Sequence, residues 1–459
     1  MNIKVNFDHV INRMKAMHGV GQPPLLGVSD AMFHYLSEAG IPYSRLHDVS
    51  GTYGGNLFVD IPNLFRDFDA DEENENSYDF AFTDKLIASL YQYGCEPVFR
   101  LGVSIENHHK IKAYRIFPPE DYDKWSRVCE KIIRHYNEGW ANGFNYGIRY
   151  WEIWNEPDNE IEGNDNPMWR GNAEEFYRLY EVTAKHLKEK FGDTINVGGY
   201  GSCGFRYILS NPGKYEIDET VAGERPYSDE RSKYFMDFFE GFFKHIRETQ
   251  SPIDFFSWHS YLSTDRTVQC ALYLERRLKE LGFAGLETHL NEWNNLGMDG
   301  ASPELVSELA KKERNKGIAA AKAAAMMCAM QDTGTDMLCY YDARVGVSYY
   351  GGMFNPMTRK PLPAYYSFVA FNELFQLGNQ VECLADEKNG IYVLAAKDED
   401  KHAVLIANTT TETVFLENNL SDDMQVFFID SHKCLEKIDM NARELRIIPE
   451  SVLLVKNYV

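Results

Sequence analysis

The sequence predicts a (β/α)8 TIM barrel, class α/β, with an antiparallel β-sandwich appended on its C-terminal side. Three observations carry this. From about residue 15 to 378, β-type runs alternate with amphipathic helical runs; eight such β-type runs can be counted there; and from 379 to 459 helices give way to short strands separated by polar turns. Regular β-α alternation makes a parallel sheet, and eight units suggest that it closes into a barrel. A doubly wound open sheet is the structural alternative. The expected division is a catalytic-type barrel over 15–378 and a sandwich over 379–459, to which "IKVNF" within residues 1–14 could lend a strand.

In order, the strand-like runs are "KAMHGVG", "IPYSRLH" (41–47), "EPVFRLG" (96–102), "IRYWEIWN" (148–155), "TINVGGY" (194–200), "PIDFFSWHSY" (252–261), "LETHLNEW" (286–293) and "DMLCYYD" (336–342). Each is rich in β-branched or aromatic residues and is bounded by Gly, Pro, Asp or Asn. Helical runs such as "PEDYDKWSRVCEKIIRHYN" and "SKYFMDFFEGFFKHIRE" repeat apolar residues at three- and four-residue spacing, as a helix packed on one side of a sheet requires. The long segment after the second strand, residues 48–80, is expected to build part of a pocket mouth. Beyond 380, "GIYVLAAKDEDKHAVLIANTTTETVFLENN", "MQVFFIDS", "ELRIIP" and "SVLLVKNY" read as strands of the appended unit.

Composition narrows the partners. A net charge of −22 argues against nucleic acid and anionic membranes. No run of about 18 apolar residues occurs, and the start has no apolar stretch of signal-peptide type. Eight cysteines without a CxxC pair read as reduced thiols, so the expected compartment is the cytoplasm. Aromatics make up 14%, which fits either a large core or sugar-stacking walls. His108-His109 has no third ligand at metal spacing, no dinucleotide or phosphate-loop fingerprint is present, and no cofactor or metal is expected. Oligomeric state is not legible.

The chemistry-bearing stretch is "WEIWNEPD". Barrel sites lie at the C-terminal ends of strands. Glu156 ends the fourth strand and Glu292 the seventh, so the two can face each other across the mouth despite their distance along the chain. A glycosidic bond needs such a pair, one carboxylic acid on the leaving oxygen and one carboxylate at the anomeric carbon. Apolar neighbours Trp154 and Pro157 suggest that the raised carboxyl is Glu156. Glu152, Asp158 and Glu160 read as ordinary carboxylates, with Glu152 deeper in the barrel or on its outer wall.

With "THLNEWNN" on the seventh strand, "SWHSY" on the sixth and "YSRLHD" on the second, the chain resembles glycoside hydrolase family 39 of clan A, which includes β-xylosidases and α-L-iduronidases. The resemblance implies Glu156 as general acid/base and Glu292 as nucleophile of a retaining, exo-acting enzyme on short oligosaccharides. It implies Asn155 at a sugar 2-hydroxyl, His47 at the terminal sugar, and His259 and Tyr261 beside the nucleophile, with Trp293 also at the substrate. Arg45 fits an ion pair or a substrate contact equally. The eighth strand departs from the clan pattern: "LCYYDARVG" offers Tyr340 or Tyr341 in place of a tryptophan platform, and Arg344 either meets a sugar carboxylate or pairs with Asp342. An endo-acting clan A glycanase, transglycosylation at the same site, and a sugar-binding barrel without catalysis are the alternatives.

Overall fold

The computed structural model describes residues 1–27, 29–49, 59–105, 116–221, 228–294, 308, 312–345, 350–386 and 389–458. Strand β1 (Asn2–Arg13) lies outside the barrel. The barrel is β2 (Ala16–Gly21), β3 (Tyr43–Leu46), β4 (Glu96–Leu101), β5 (Tyr150–Ile153), β6 (Asn196–Ser202), β7 (Phe255–Ser260), β8 (Glu287–Trp293) and β9 (Met337–Tyr341), which pair in sequence order and close β9 onto β2. Every pairing is parallel. The open-sheet alternative is thereby excluded. Among the described residues, long helices at Ala81–Gln92, Tyr122–Asn137, Ala173–Phe191, Glu230–Thr249, Thr264–Glu280, Gly317–Met330 and Pro363–Leu377 surround it. None is long and apolar enough to cross a membrane.

Period-two alternation sorts each strand into an inward and an outward set. At the base of the barrel, Tyr43, Val98, Tyr150, Phe255, Met337 and Cys339 form an apolar plug. Two residues further along the same strands, the inward positions become polar: Arg45, Arg100, Glu152 and Ser257, all 0% exposed. The outward set belongs to the helix layer, and this is where most aromatics go. Tyr200 meets Phe176, Phe238, Phe242 and Phe256 at ring-centroid distances of 4.9–5.6 Å, in edge-on geometry.

The C-terminal region adds β10 (Asn379–Ala385), β11 (Ile391–Asp398), β12 (Lys401–Asn408), β13 (Val414–Phe415), β14 (Glu417–Asn418), β15 (Gln425–Ile429), β16 (Cys434–Ile438), β17 (Arg446–Ile447) and β18 (Ser451–Lys456). Eight strands form one sheet in the order β14-β1-β10-β11-β12-β18-β15-β16, antiparallel apart from the short β1–β14 pair; β13 and β17 form a separate ribbon. The two layers are therefore unequal, one broad sheet and one thin ribbon. Alternation shows what each face covers. Ala403, Leu405 and Ala407 of β12 join the core shared with the barrel helices, while Val404 and Ile406 join a second cluster with Val414, Leu416, Leu445 and Ile447. Burial on both faces explains the unbroken apolar run "AVLIA" in β12. Each fully buried Leu or Ile there contributes about 1.5–3 kcal/mol. The alanine-rich helix Gly317–Met330 is the contact surface. Its first residue must be small, since a Cβ on Gly317 would stand 2.2 Å from the carbonyl oxygen of Glu450.

Candidate active site

The fourth barrel strand ends in a kink that aims two side chains into the mouth. Trp154 and Glu156 both have positive φ, 70° and 44°. For a bulky residue such a conformation costs on the order of 1–3 kcal/mol and persists only where other contacts enforce it. Those contacts are present. The Trp154 backbone N–H donates to Leu101 O at 2.8 Å and its indole Nε1 to Met168 O at 2.9 Å, while the Glu156 N–H donates to Tyr200 O and Gly201 O, each at 3.1 Å. The indole lies among Trp125 and Trp169 in the helix layer. Asn155 and Glu156 are left facing the barrel axis.

Strand β8 reaches the same end by a different device. Its register with β7 slips between Trp258↔Leu290 and His259↔Glu292, a β-bulge at Asn291. Bulges re-aim the side chains that follow them. Asn291 and Glu292 consequently both face inward, and Trp293 turns out, 0% exposed and packed edge-on against Tyr340 at 5.0 Å. This corrects the expectation that Trp293 contacts substrate. Tyr340, whose hydroxyl donates to Gly351 O at 2.6 Å, is likewise outside the pocket. Of the two tyrosines on β9 it is Tyr341 that faces in, beside Tyr261 at 6.4 Å and Tyr350 at 4.9 Å.

Glu292 is held from two sides. Arg45 Nη1 donates to its Oε1 at 2.7 Å and the Tyr261 hydroxyl to its Oε2 at 2.7 Å. Arg45 also donates from Nε to Glu152 Oε2 at 2.7 Å and from Nη2 to Asn155 Oδ1 at 2.6 Å. Glu152 accepts from Ser257 Oγ and Asn291 Nδ2, both at 2.6 Å. Glu152 is thus deep in the barrel and not on its outer wall, and Arg45 is an ion-pair residue. Gly201 keeps this cluster tight: at φ 61°, a Cβ would stand 3.0 Å from His259 Nε2, 3.1 Å from Arg45 Nη2 and 3.2 Å from Asn155 Oδ1.

Glu156 is held by His259, whose Nδ1 lies 2.6 Å from Oε1, and by Asn159, whose Nδ2 donates to Oε2 at 2.6 Å. His259 Nδ1 is also 3.5 Å from Glu292 Oε2. One ligand-capable atom from each of Glu156, His259 and Glu292 lies within 4.8 Å of the others, so the two carboxyl groups converge over one hollow. Could this trio hold a metal? All four carboxylate oxygens already accept from protein donors, which fits an internal ion-pair network better than a cation site.

The charges pull in definite directions. Burial raises a carboxyl, yet the bond and charge of His259, with Asn159, carry Glu156 below the usual glutamate range. For Glu292, burial and the nearby Glu156 charge prevail over His259 and Arg45, and it is raised. Burial opposes a charge on His259, but Glu292 and Glu156 outweigh it and its proton is held more tightly than usual. In the free site the donors around Glu156 lower it while burial and the Glu156 charge raise Glu292, whereas the apolar neighbours Trp154 and Pro157 had pointed to a raised Glu156. The physical reason is that Trp154 points into the helix layer and leaves the Glu156 carboxyl among donors.

At the rim, His47 Nε2 lies 4.0 Å from Glu292 Oε1 and 3.5 Å from Asp48 Oδ1, and burial with Arg100 and Arg45 nearby drives its proton off. Asp48 Oδ2 accepts from the Tyr341 hydroxyl at 2.9 Å. Arg344 donates to Asp342 Oδ2 from Nε at 2.8 Å and pairs with it through Nη2 at 2.7 Å, which realises the pairing alternative. Asp60, in the described part of the segment after the second strand, accepts from Arg100 Nη2 at 2.6 Å and Ser104 Oγ at 2.9 Å, tying that segment to the end of β4. Residues 50–58 of the same segment, and His108-His109, lie outside the described residues.

Asp158 is not the ordinary solvated carboxylate expected. It is 0% exposed, accepting from Ser202 Oγ at 3.0 Å and the Cys203 N–H at 3.2 Å. Burial and the adjacent Glu156 push it up to about 7. Asn159, Ser257 and Asn291 were also missed. The signal for Asn291 was its place beside Glu292; for Asn159 and Ser257 no sequence signal existed, since their partners are set by the fold.

Residues 34–294, more than half of the chain, match the family model for glycosyl hydrolases family 39. A β-xylosidase of Geobacillus stearothermophilus is 27% identical over 222 residues, 46% of this chain and 36% of that protein. A β-xylosidase of Caldicellulosiruptor saccharolyticus is 28% identical over 173 residues, 35% of this chain and 31% of that one. The matches span about a third of each relative. Among solved structures, a glucosidase from Croceicoccus marinus superposes with a TM-score of 0.73 at 19% identity, covering 99% of this chain and 98% of that one, a likeness of fold.

Proposed function

This chain belongs to glycosyl hydrolases family 39, and from that premise we propose that it is a retaining, exo-acting β-xylosidase-like enzyme, cleaving a terminal neutral sugar from short oligosaccharides. The observation that carries the reading is the approach of Glu156 and Glu292, with carboxylate oxygens within 4.8 Å. Double displacement needs carboxyl groups about 5–5.5 Å apart, whereas inversion needs roughly 6.5–9.5 Å to admit a water.

In the proposed reaction Glu292, whose ionised form Arg45 and Tyr261 support against its burial, attacks the anomeric carbon. The proton shared between Glu156 Oε1 and His259 Nδ1 goes to the departing oxygen. Esterification removes the charge of Glu292, and with it the repulsion that disfavours ionised Glu156. Glu156 then accepts a proton from the water that opens the glycosyl-enzyme. Asn155 has given its Oδ1 to Arg45, which leaves Nδ2 to donate to a sugar hydroxyl, a bond that gains strength as charge develops at the ring.

Two features favour a neutral sugar over a uronic acid. Arg45 is enclosed by Glu152 and Glu292, and Arg344 is paired through Nε and Nη2 with Asp342, so both guanidinium charges are already matched by protein carboxylates. The exo mode follows the β-xylosidase relatives. The test is a screen of nitrophenyl xyloside, arabinoside, glucoside, galactoside and glucuronide, with the first-formed product anomer followed by NMR. Preference for a β-xyloside with retained configuration is expected. Inverted product, or glucuronide as the preferred substrate, would overturn the reading.

A further inference from the structure

We propose that Arg231, on the helix that follows the fifth barrel strand, is a positioning residue: by fixing the side-chain amide of Asn159 it confines the acid proton of Glu156 to one of its two oxygens. The inference deepens the proposed function and rests on the acid/base role of Glu156.

Asn159 lies three residues beyond Glu156, in a turn closed by its own N–H donating to Glu156 O at 3.0 Å. A primary amide can present either its oxygen or its nitrogen to a neighbour, and the choice is decided by what the other end meets. Here the other end meets a guanidinium, which only donates. Arg231 Nη2 donates to Asn159 Oδ1 at 2.9 Å, and Arg231 Nε to the Asn159 backbone oxygen at 2.5 Å. With Oδ1 committed, Nδ2 is the end turned to Glu156, and it donates to Oε2 at 2.6 Å. An oxygen that accepts from a fixed N–H is a poor place for a proton, which would face that N–H. The proton that Glu156 shares with His259 is therefore confined to the contact between Oε1 and Nδ1, 2.6 Å long, and Oε2 is left as an acceptor.

Arg231 is itself held in place. Asp229 caps its helix, the guanidinium lies 5.7 Å from the ring centroid of Phe235, and Glu160 Oε2 stands 3.8 Å from Nε. The charged and titratable groups facing Glu156 are His259 and Tyr261 from the sixth strand and its end, Glu292 from the seventh, Cys203 after the fifth, Asp158 on its own loop, and Arg231 with Glu160. After burial and His259, the bond from Asn159 and the charge of Arg231 both act to lower Glu156. The device therefore favours the ionised form, which the second half of the reaction requires.

The test is the pH dependence of kcat/KM, measured on the best nitrophenyl glycoside of the screen and on a glycoside with a poor leaving group. The basic limb reports loss of the proton shared by Glu156 and His259. Removing the Arg231 charge and freeing the amide makes that proton harder to lose. Arg231→Met is expected to move the basic limb up by about half a pH unit or more, with kcat falling more for the poor leaving group. Asn159→Ala should move it in the same direction, and the double variant should add little to Asn159→Ala. A basic limb unmoved in Arg231→Met, with thermal midpoint and circular dichroism as in wild type, would overturn the proposal. If Arg231→Met is insoluble, Asn159→Ala alone decides by the same criterion. Failure of the parent reading looks different: Glu156→Ala would then show no leaving-group dependence and no rescue by azide, whatever Arg231 does. Inactivity on every glycoside would remove both readings together.

Discussion

Glu292 and Glu156 are chemically identical side chains in one hollow, yet they are cradled by different parts of the molecule. The partners of Glu292 come from barrel strands or the residue just past one: Arg45 on β3, His259 on β7 and Tyr261 one residue beyond it. Among the described residues that act on the Glu156 carboxylate, His259 is a strand residue and the others are not. Asn159 belongs to the loop after β5, and Arg231 to a helix beyond the next strand. A nucleophile has to stay ionised and point one way, which rigid strands secure. An acid/base has to lose and regain a proton in each cycle, and here one of its oxygens is held by an amide that a neighbouring helix fixes while the other faces a titratable imidazole. The contrast is one of support as much as of charge.

The largest effect that can break this comparison is loss of the nucleophile. Glu292→Gln keeps the shape and leaves an oxygen for Arg45, and should lower turnover of aryl glycosides by at least about 10³-fold with the circular dichroism spectrum unchanged. Glu156→Ala should behave otherwise. Substrates with poor leaving groups should lose about 10²–10⁴-fold, activated aryl glycosides much less, and added azide should restore part of the rate as a glycosyl azide. Equal losses on all substrates in both variants would erase the distinction between the two carboxylates.

Tyr261→Phe probes the rigid cradle more gently. The lost hydrogen bond to an ionised group is worth about 1.5–3 kcal/mol, or roughly tenfold to a hundredfold in kcat/KM. The sign in pH is also set. The Tyr261 hydroxyl lowers Glu292, so its removal raises that carboxyl further, and the acidic limb of kcat/KM should move to higher pH. Arg231→Met acts on the opposite limb. Movement of the same limb in both variants would show that the two cradles are one.

How much of this was legible beforehand depended on whether partners were near in sequence. All eight barrel strands could be placed, because each carries its own β-type run between turn residues, and Glu156 and Glu292 stood out as carboxylates ending two of them. What alternation could not show was the bulge at Asn291. Strict period two from Asn291 would put Trp293 inside and Glu292 outside; the extra residue reverses both. Trp154 misled in the same way, because its positive φ sends the indole away from the residue that follows it. The Arg45 network joins residues 107, 110 and 247 positions apart, and Arg231 meets Asn159 across 72. No local pattern encodes such pairs. In the C-terminal sheet, strand character was visible, but the burial of β12 on both faces depends on barrel helices earlier in the chain.

The last effect is read in stability and not in turnover, and concerns Asp158, a fully buried carboxyl two residues beyond Glu156 that marks how far that region departs from a solvated surface. Burial and Glu156 raise it from about 3.8 to about 7. Between these values the folded protein holds a proton that the unfolded chain has released, so stability falls as pH rises through this window. A shift of this size corresponds to a few kcal/mol at most, on the order of 1.4 kcal/mol for each pH unit. Asp158→Asn removes the titration while keeping an acceptor for Ser202 Oγ or the Cys203 N–H. The thermal midpoint of the wild type should decline between pH 5 and about 7 more steeply than that of the variant, with the two curves converging toward low pH, where Asp158 is protonated. Parallel curves across that range would mean that Asp158 is ionised at neutral pH with its charge fully compensated. The loop beside Glu156 would then be as well supplied with donors as the strand-built cradle of Glu292.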